Sequence, residues 1–256
     1  MNVVVLSKFV PNPEGVPELG DDNLIKREGV EGALDPGDEF GVEAGLQLAE
    51  ASGGEVTVIS MGPEAGATQA IRKALSMGAA KAVLITDPQL KGSDALVTAK
   101  VLAAAIKKQE FDVVIAGVES TDGYTGTLPM TIAELLGLPA LSFAKHIEQA
   151  DGKLTIQRQT ETGYDVVECP TPAVITVTAG ANSPRYPTLK GIMQAKSKPV
   201  DQLDVAGLGL SGEDVTPTQT VEAVNPAPEK AAGEVIEDDG SAAKRIADLL
   251  SEAKVI

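Results

Sequence analysis

Short runs of branched apolar residues recur along the first half of the chain, separated by segments whose apolar residues fall at helical spacing. Val3–Leu6 (VVVL), Glu55–Ser60 (EVTVIS), Ala82–Thr86 (AVLIT) and Asp112–Gly117 (DVVIAG) are too short for helices, rich in Val and Ile, and bounded by turn residues. They read as buried parallel strands. Between them the pattern predicts three helices. One is capped by Asp38 and runs through Val42, Leu46 and Ala49; one opens at Gly62 and Pro63 and runs through Ile71, Ala74 and Leu75; one starts at Ser93 and Asp94 and runs through Leu96, Val101, Leu102 and Ile106. Strand and helix alternation predicts an α/β fold: a three-layer, mostly parallel, doubly wound, Rossmann-like sheet. Ligands are expected where strand carboxyl ends face helix amino ends.

Past Gly137 the pattern changes. Leu154–Glu161 alternates apolar and polar residues and Ala173–Thr178 is another apolar run, so these segments finish the sheet or form a hairpin at its edge. Ser183–Pro199 carries Arg185, Lys190, Lys196 and Lys198 and no acid, with Leu189, Ile192 and Met193 at i, i+3 and i+4 of a short helix. Val200–Ile256 holds 4 basic and 12 acidic residues and several prolines, and reads as an extended C-terminal arm. Only its last stretch has helical character, with Ser241 as cap and Ile246, Leu249 and Leu250 on one stripe. The expected organisation is an α/β domain over 1–182, a recognition segment over 183–199 and an acidic arm over 200–256.

Composition narrows the function. Twenty-one basic against 37 acidic residues in 256 give a net charge of −16, which repels phosphate backbones and anionic membranes and argues against nucleic-acid binding. One cysteine, Cys169, and one histidine, His146, argue against an internal disulfide and the common Cys/His metal sites. The apolar run in 1–10 is too short for a signal peptide and no stretch suggests a membrane span, so a cytoplasmic location is expected. His146 lies in a polar stretch without a nucleophile-elbow serine, and Cys169 lacks a redox partner, so no catalytic group is assigned.

The most informative segment is Ala116–Pro139, AGVESTDGYTGTLPMTIAELLGLP: a strand ends at Gly117, a small polar turn follows, and an apolar helix begins near Gly126. The first-turn N–H groups with the hydroxyls of Thr125 and Thr127 suit a phosphate without a lysine. An ordinary strand–helix turn capped by Asp122 and Thr125 is the other reading. The basic segment also has two readings: an apolar knob ringed by lysines that docks a partner, or three side chains packed on the protein's own sheet.

Together these residues resemble the β subunit of electron transfer flavoproteins, including the related nitrogen-fixation subunit. The resemblance is carried by LDPGDEFGVEAGLQLAE, AIRKALSMGAAKAVLI, AGVESTDGYTGTLPMTIAELLGLPAL and CPTPAVITVTAGANSPRYPTLKGIMQAKSK. The last fits the family's P-A-V-x-[ST] strand followed by P-R-[YF]-x-[ST]-[LF]-x-x-I-M-x-A-K-x-K. The resemblance implies an adenine nucleotide alpha hydrolase-like fold and a heterodimeric electron carrier, not an enzyme in its own right. It implies that an α subunit holds most of an FAD and that this chain carries a buried AMP. By the same resemblance, electrons would come from flavin dehydrogenases such as acyl-CoA dehydrogenases and go to a membrane quinone oxidoreductase. The AMP pocket would comprise Leu6, Asp35, Pro36, Gly37, Asp38, Met61, Ser120, Thr121, Asp122, Gly123, Tyr124, Thr125, Gly126, Thr127, Leu128, Pro129, Met130 and Thr131, with the phosphate over Thr125 to Leu128. Partner contacts would come from Arg185, Leu189, Lys190, Ile192 and Met193, Leu189 being the inserting residue, and the acidic arm would wrap onto the α subunit.

The chain departs from the family in places. Asp35 stands where many members have asparagine, Gly37 replaces an aromatic ring, and Pro13 stands where some have tyrosine. The turn DGYTGTLP keeps the Gly123 and Thr125 of electron-bifurcating members but has Tyr124 and Thr127 in place of their second aspartate and glutamine. That leaves an alternative in which the pocket binds a second FAD and NADH supplies electrons. A stand-alone nucleotide-binding module of stress-protein type is the alternative from another class.

Overall fold

The computed structural model describes residues 1–225, 227, 228, 233 and 235–256. They form two compact units, Met1–Glu222 and Ala223–Ile256. The first is built on strands β1 (Val3–Ser7), β4 (Val56–Met61), β5 (Lys81–Ile85), β6 (Val113–Gly117), β7 (Ala140–Ala150), β8 (Lys153–Gln159), β9 (Tyr164–Pro170), β10 (Ala173–Val177) and β11 (Val200–Leu203). Their order in the sheet is β11-β5-β4-β1-β6-β10-β7-β8-β9. Pairings are parallel from β11 through β7, and β7–β8–β9 is an antiparallel extension. A separate antiparallel pair joins β2 (Phe9–Pro11) to β3 (Gly32–Leu34).

Helices cover both faces because the central parallel strands β1, β4, β5, β6 and β10 are buried on both sides. Val3, Val5, Val56 and Val58 face α1 (Pro36–Ser52) and α2 (Glu64–Met77). Val4, Leu6, Ile59 and Val83 face α3 (Ala95–Ile106) and α4 (Leu128–Leu136). Gly45 lets α1 settle on the sheet, since a β-carbon there would lie 2.8 Å from Val5 Cγ2. The chain lays β1, β4 and β5 in one direction, then crosses back to place β6 on the other side of β1. The reversal falls between β1 and β6, and the crevice outside the carboxyl ends of the strands at such a switch point is where sheets of this kind bind ligands.

Three expectations are corrected. Asp35, not Asp38, caps α1: its Oδ1 accepts from the Gly37 N–H at 2.8 Å, Pro36 sits at the first helical position, and Asp38 lies inside the first turn. The helix expected near Gly126 begins at Leu128; neither Asp122 nor Thr125 caps it, because Thr127 is its N-cap and makes no side-chain cap bond. The segment that follows residue 199 is not all arm. Strand β11 pairs with β5, and Val205, Leu208 and Val215 are buried, so the segment up to Glu222 belongs with the sheet. In the second unit, α6 (Ala242–Glu252) carries the expected stripe, with Ile246 and Leu250 exposed.

Candidate functional site

The crevice is organised by polar residues at the start of α1, just after β1 and in the loop that follows β6. The Asp35 carboxylate, fully buried, accepts from the Thr121 N–H at 2.7 Å and the Thr121 hydroxyl at 3.0 Å through Oδ2. This ties the start of α1 to the loop after β6. Asp38 accepts from the Lys8 N–H at 2.8 Å, and a β-carbon on Gly117 would stand only 3.0 Å from its Oδ1. Burial and the neighbouring Asp35 charge push the Asp38 carboxyl up to about 8.

Asp122 is handled differently. Its side chain is 3% exposed, with Lys8 Nζ 2.7 Å from Oδ1 and Arg27 Nη2 2.5 Å from Oδ2. Burial would raise its pKa, but the Lys8 and Arg27 charges outweigh it and hold the carboxyl below the usual carboxylate range. Lys8 Nζ also donates to Ser120 Oγ at 3.1 Å. The turn from Gly123 to Thr127 is exposed, with Tyr124 at φ 48 and Gly126 at φ 61. Pro129 is buried, and the Thr131 hydroxyl is turned back to the Thr127 carbonyl at 3.0 Å.

The expected pocket residues therefore fall into two groups. Asp35, Pro36, Gly37, Asp38, Ser120, Thr121 and Asp122 meet on the α1 side. Leu6, Met61 and Leu128 belong to one apolar cluster on the α3/α4 side. The exposed Thr125 and Thr127 lead into the first turn of α4, whose N-cap makes no side-chain bond. A helix start of this kind attracts an anion through its N–H groups and dipole. The exposed Glu119 opposes it locally, its Oε2 being 3.5 Å from where a β-carbon on Gly126 would stand.

Lys8 and Arg27 escaped the sequence reading. Lys8 directly follows a buried strand and was legible in principle; Arg27 lies in a loop without pattern, and only its pairing with Asp122 reveals it. His146 is exposed, with Nε2 3.0 Å from Glu148 Oε1. Among the described residues no three His, Cys, Asp or Glu side chains gather as a metal-binding group, and no helix is long and apolar enough to cross a membrane.

The second feature is α5 (Leu189–Ala195), capped by Thr188, whose hydroxyl accepts from the Gly191 N–H at 3.0 Å. Leu189 is 76% exposed and Met193 67%; Ile192 and Tyr186 are exposed too, and Ala195 is the buried residue of the helix. The apolar triplet thus does not pack on the chain's own sheet. Lys190 and Lys196 are exposed beside it. Arg185 departs from its expected outward role, because its guanidinium is turned to Glu43 and Glu50 on α1.

Comparison with known proteins places this arrangement. The electron transfer flavoprotein domain matches residues 22–208. The electron transfer flavoprotein subunit beta of Mycobacterium tuberculosis (strain ATCC 25618 / H37Rv) is 43% identical over 265 residues, covering 100% of this chain and 99% of the relative. The subunit of the same name from Bacillus subtilis (strain 168) is 36% identical over 262 residues, with 100% of both chains covered. That from Megasphaera elsdenii is 34% identical over 270 residues, covering 100% of this chain and 98% of the relative. With a domain match over most of its length and full-length relatives well above 30% identity, the chain belongs to the electron transfer flavoprotein family, among its β subunits.

Proposed function

We propose that the chain is the nucleotide-holding and partner-docking half of a cytoplasmic heterodimeric electron carrier. It pairs with an α subunit, accepts electrons from flavin dehydrogenases of the acyl-CoA dehydrogenase type and passes them to a membrane quinone oxidoreductase. FAD, held mainly by the α subunit, supplies the redox couple when bound. This chain's own residues complete the assembly, hold an AMP at the crevice and present α5 to the electron donor.

The observation that carries the reading is the bare apolar face of α5. Leu189, Ile192 and Met193 project together from a capped helix, flanked by Lys190 and Lys196. Burying one leucine contributes about 1.5–3 kcal/mol, enough to anchor a complex that still releases quickly. AMP suits the residues at the crevice. The start of α4 offers N–H groups and a dipole to a phosphate, Thr125 and Thr127 offer hydroxyls, and Leu6 and Met61 offer an apolar floor for the base. Asp122 already neutralises part of the Lys8 and Arg27 charge, so phosphate binding rests on the helix start more than on either cation.

The test is reduction of the purified heterodimer by an acyl-CoA dehydrogenase with its substrate. Leu189→Ala should raise KM for the carrier about tenfold, the equivalent of losing one buried leucine contact, at unchanged FAD content. Equal loss of FAD and of reduction would make Leu189 a core residue, and an unchanged KM would remove α5 from docking.

A further inference from the structure

The four cations of the segment 183–199 do not play one role. Arg185 donates from Nε to Glu43 Oε2 at 2.8 Å and from Nη2 to Glu43 Oε1 at 3.1 Å. From Nη1 and Nη2 it also reaches Glu50 Oε1 and Oε2 at 2.5 and 3.1 Å. Its backbone N–H adds a bond to Glu43 Oε2 at 3.1 Å. Glu43 is nearly buried; burial would raise its pKa, but the Arg185 bonds, with one from Gln47, keep it below the usual carboxylate range. The fork of the guanidinium is thereby committed to α1, and little of it remains for a partner.

At the other end, Lys198 Nζ donates to the Leu75 carbonyl at 2.8 Å and the Ala79 carbonyl at 2.7 Å, at the carboxyl end of α2. A cation there also complements the helix dipole. Arg72 of α2 donates to the Ala195 carbonyl. Between these ties α5 lies close on α2: a β-carbon on Gly191 would come within 2.4 Å of the Ser76 carbonyl oxygen. A helix of seven residues has too few internal bonds to hold itself in water, so its order comes from such anchors.

We infer that Arg185 and Lys198 are positioning residues that fasten the two ends of α5 to α1 and α2, so that the docking helix meets its partner preformed. The inference rests on the docking reading above. Direct charge contact with the partner then falls to Lys190 and Lys196. A preformed helix spares the complex the ordering cost of a flexible segment, and that saving is read in KM, not in the electron-transfer step at saturation.

The experiment measures KM and kcat for reduction of the heterodimer by the same dehydrogenase. Arg185→Gln and Glu43→Gln should each raise KM about fivefold, with kcat within about twofold of the original. The double variant should be no worse than either, because both remove one latch. Lys198→Met, which keeps the stem and removes the ammonium, should raise KM independently and add to Arg185→Gln.

A KM raised by Arg185→Gln but unchanged or lowered by Glu43→Gln would make Arg185 a partner contact and overturn the inference, as would additive effects of the Arg185 and Glu43 changes. If Glu43→Gln lowers FAD content, Glu50→Gln at its exposed position takes its place and must raise KM in the same direction. Arg185→Lys, which keeps the charge without the fork, should recover only part of the KM. Leu189→Ala separates the two levels. If it leaves KM unchanged the docking reading fails, and if it raises KM while the latch variants are silent, only the latch is lost.

Discussion

Asp38 and Asp122 lie in one crevice and respond to burial in opposite ways. Asp122 is held ionised between Lys8 and Arg27, whereas Asp38 meets backbone N–H groups and the neighbouring Asp35 carboxylate, and burial outweighs the more distant Lys8 charge. The signs follow. The raised Asp38 value means that its contribution is fully present below the unfolded value near 3.9 and is lost as pH rises to about 8. The lowered values of Asp122 and Glu43 work the other way: their contributions are present above the unfolded range and lost as pH falls through the folded values. Asparagine at 38 does not titrate. In thermal melts of the heterodimer, the stability of Asp38→Asn relative to the original should therefore become more favourable from pH 5 to pH 8, by up to about 1.4 kcal/mol per pH unit. A difference that stays flat across that range would contradict the assignment.

Among the elements, α4 and α5 depend most on what surrounds them. Helix α4 starts without a side-chain cap where the crevice opens, and α5 is short and fastened from outside. The close approach of Gly191 to Ser76 offers a test at this scale. Gly191→Ala places a methyl group against a backbone carbonyl that has no rotamer to change, so α5 must move away from α2. The expected result is faster amide hydrogen exchange over residues 189–195 and a higher KM for the dehydrogenase, at unchanged FAD content. Exchange as slow as in the original would show that α5 does not depend on this contact.

The elements also show what a sequence can and cannot disclose. Strands β1, β4, β5 and β6 were legible because strands buried on both faces are continuous apolar runs. The start of α3 was legible because Asp94 caps it, its Oδ1 accepting from the Val97 N–H at 2.8 Å. Strands β7 and β9 are largely exposed and lack a clean two-residue alternation, and β11 hides as VDQL in an acidic stretch. Helical spacing found Leu189, Ile192 and Met193 but not which way they face. That depends on the Arg185 and Lys198 anchors, whose partners lie more than 100 residues away. The pairing of Lys8 and Arg27 with Asp122 is equally nonlocal.

For the whole molecule, the excess of 16 negative charges, the sheet with its β1/β6 switch point and the exposed α5 fit the proposed role of a subunit that completes an assembly. The family placement, over the full length of its relatives, leaves no ground for a stand-alone nucleotide module. The central claim is that this chain contributes a nucleotide cradle distinct from the flavin seated in its companion. Extracting and quantifying the nucleotides of the purified heterodimer tests it most directly. The account predicts one FAD and one AMP per heterodimer and no flavin reduction by NADH; two FAD with NADH-dependent reduction, or one FAD and no second nucleotide, would contradict it.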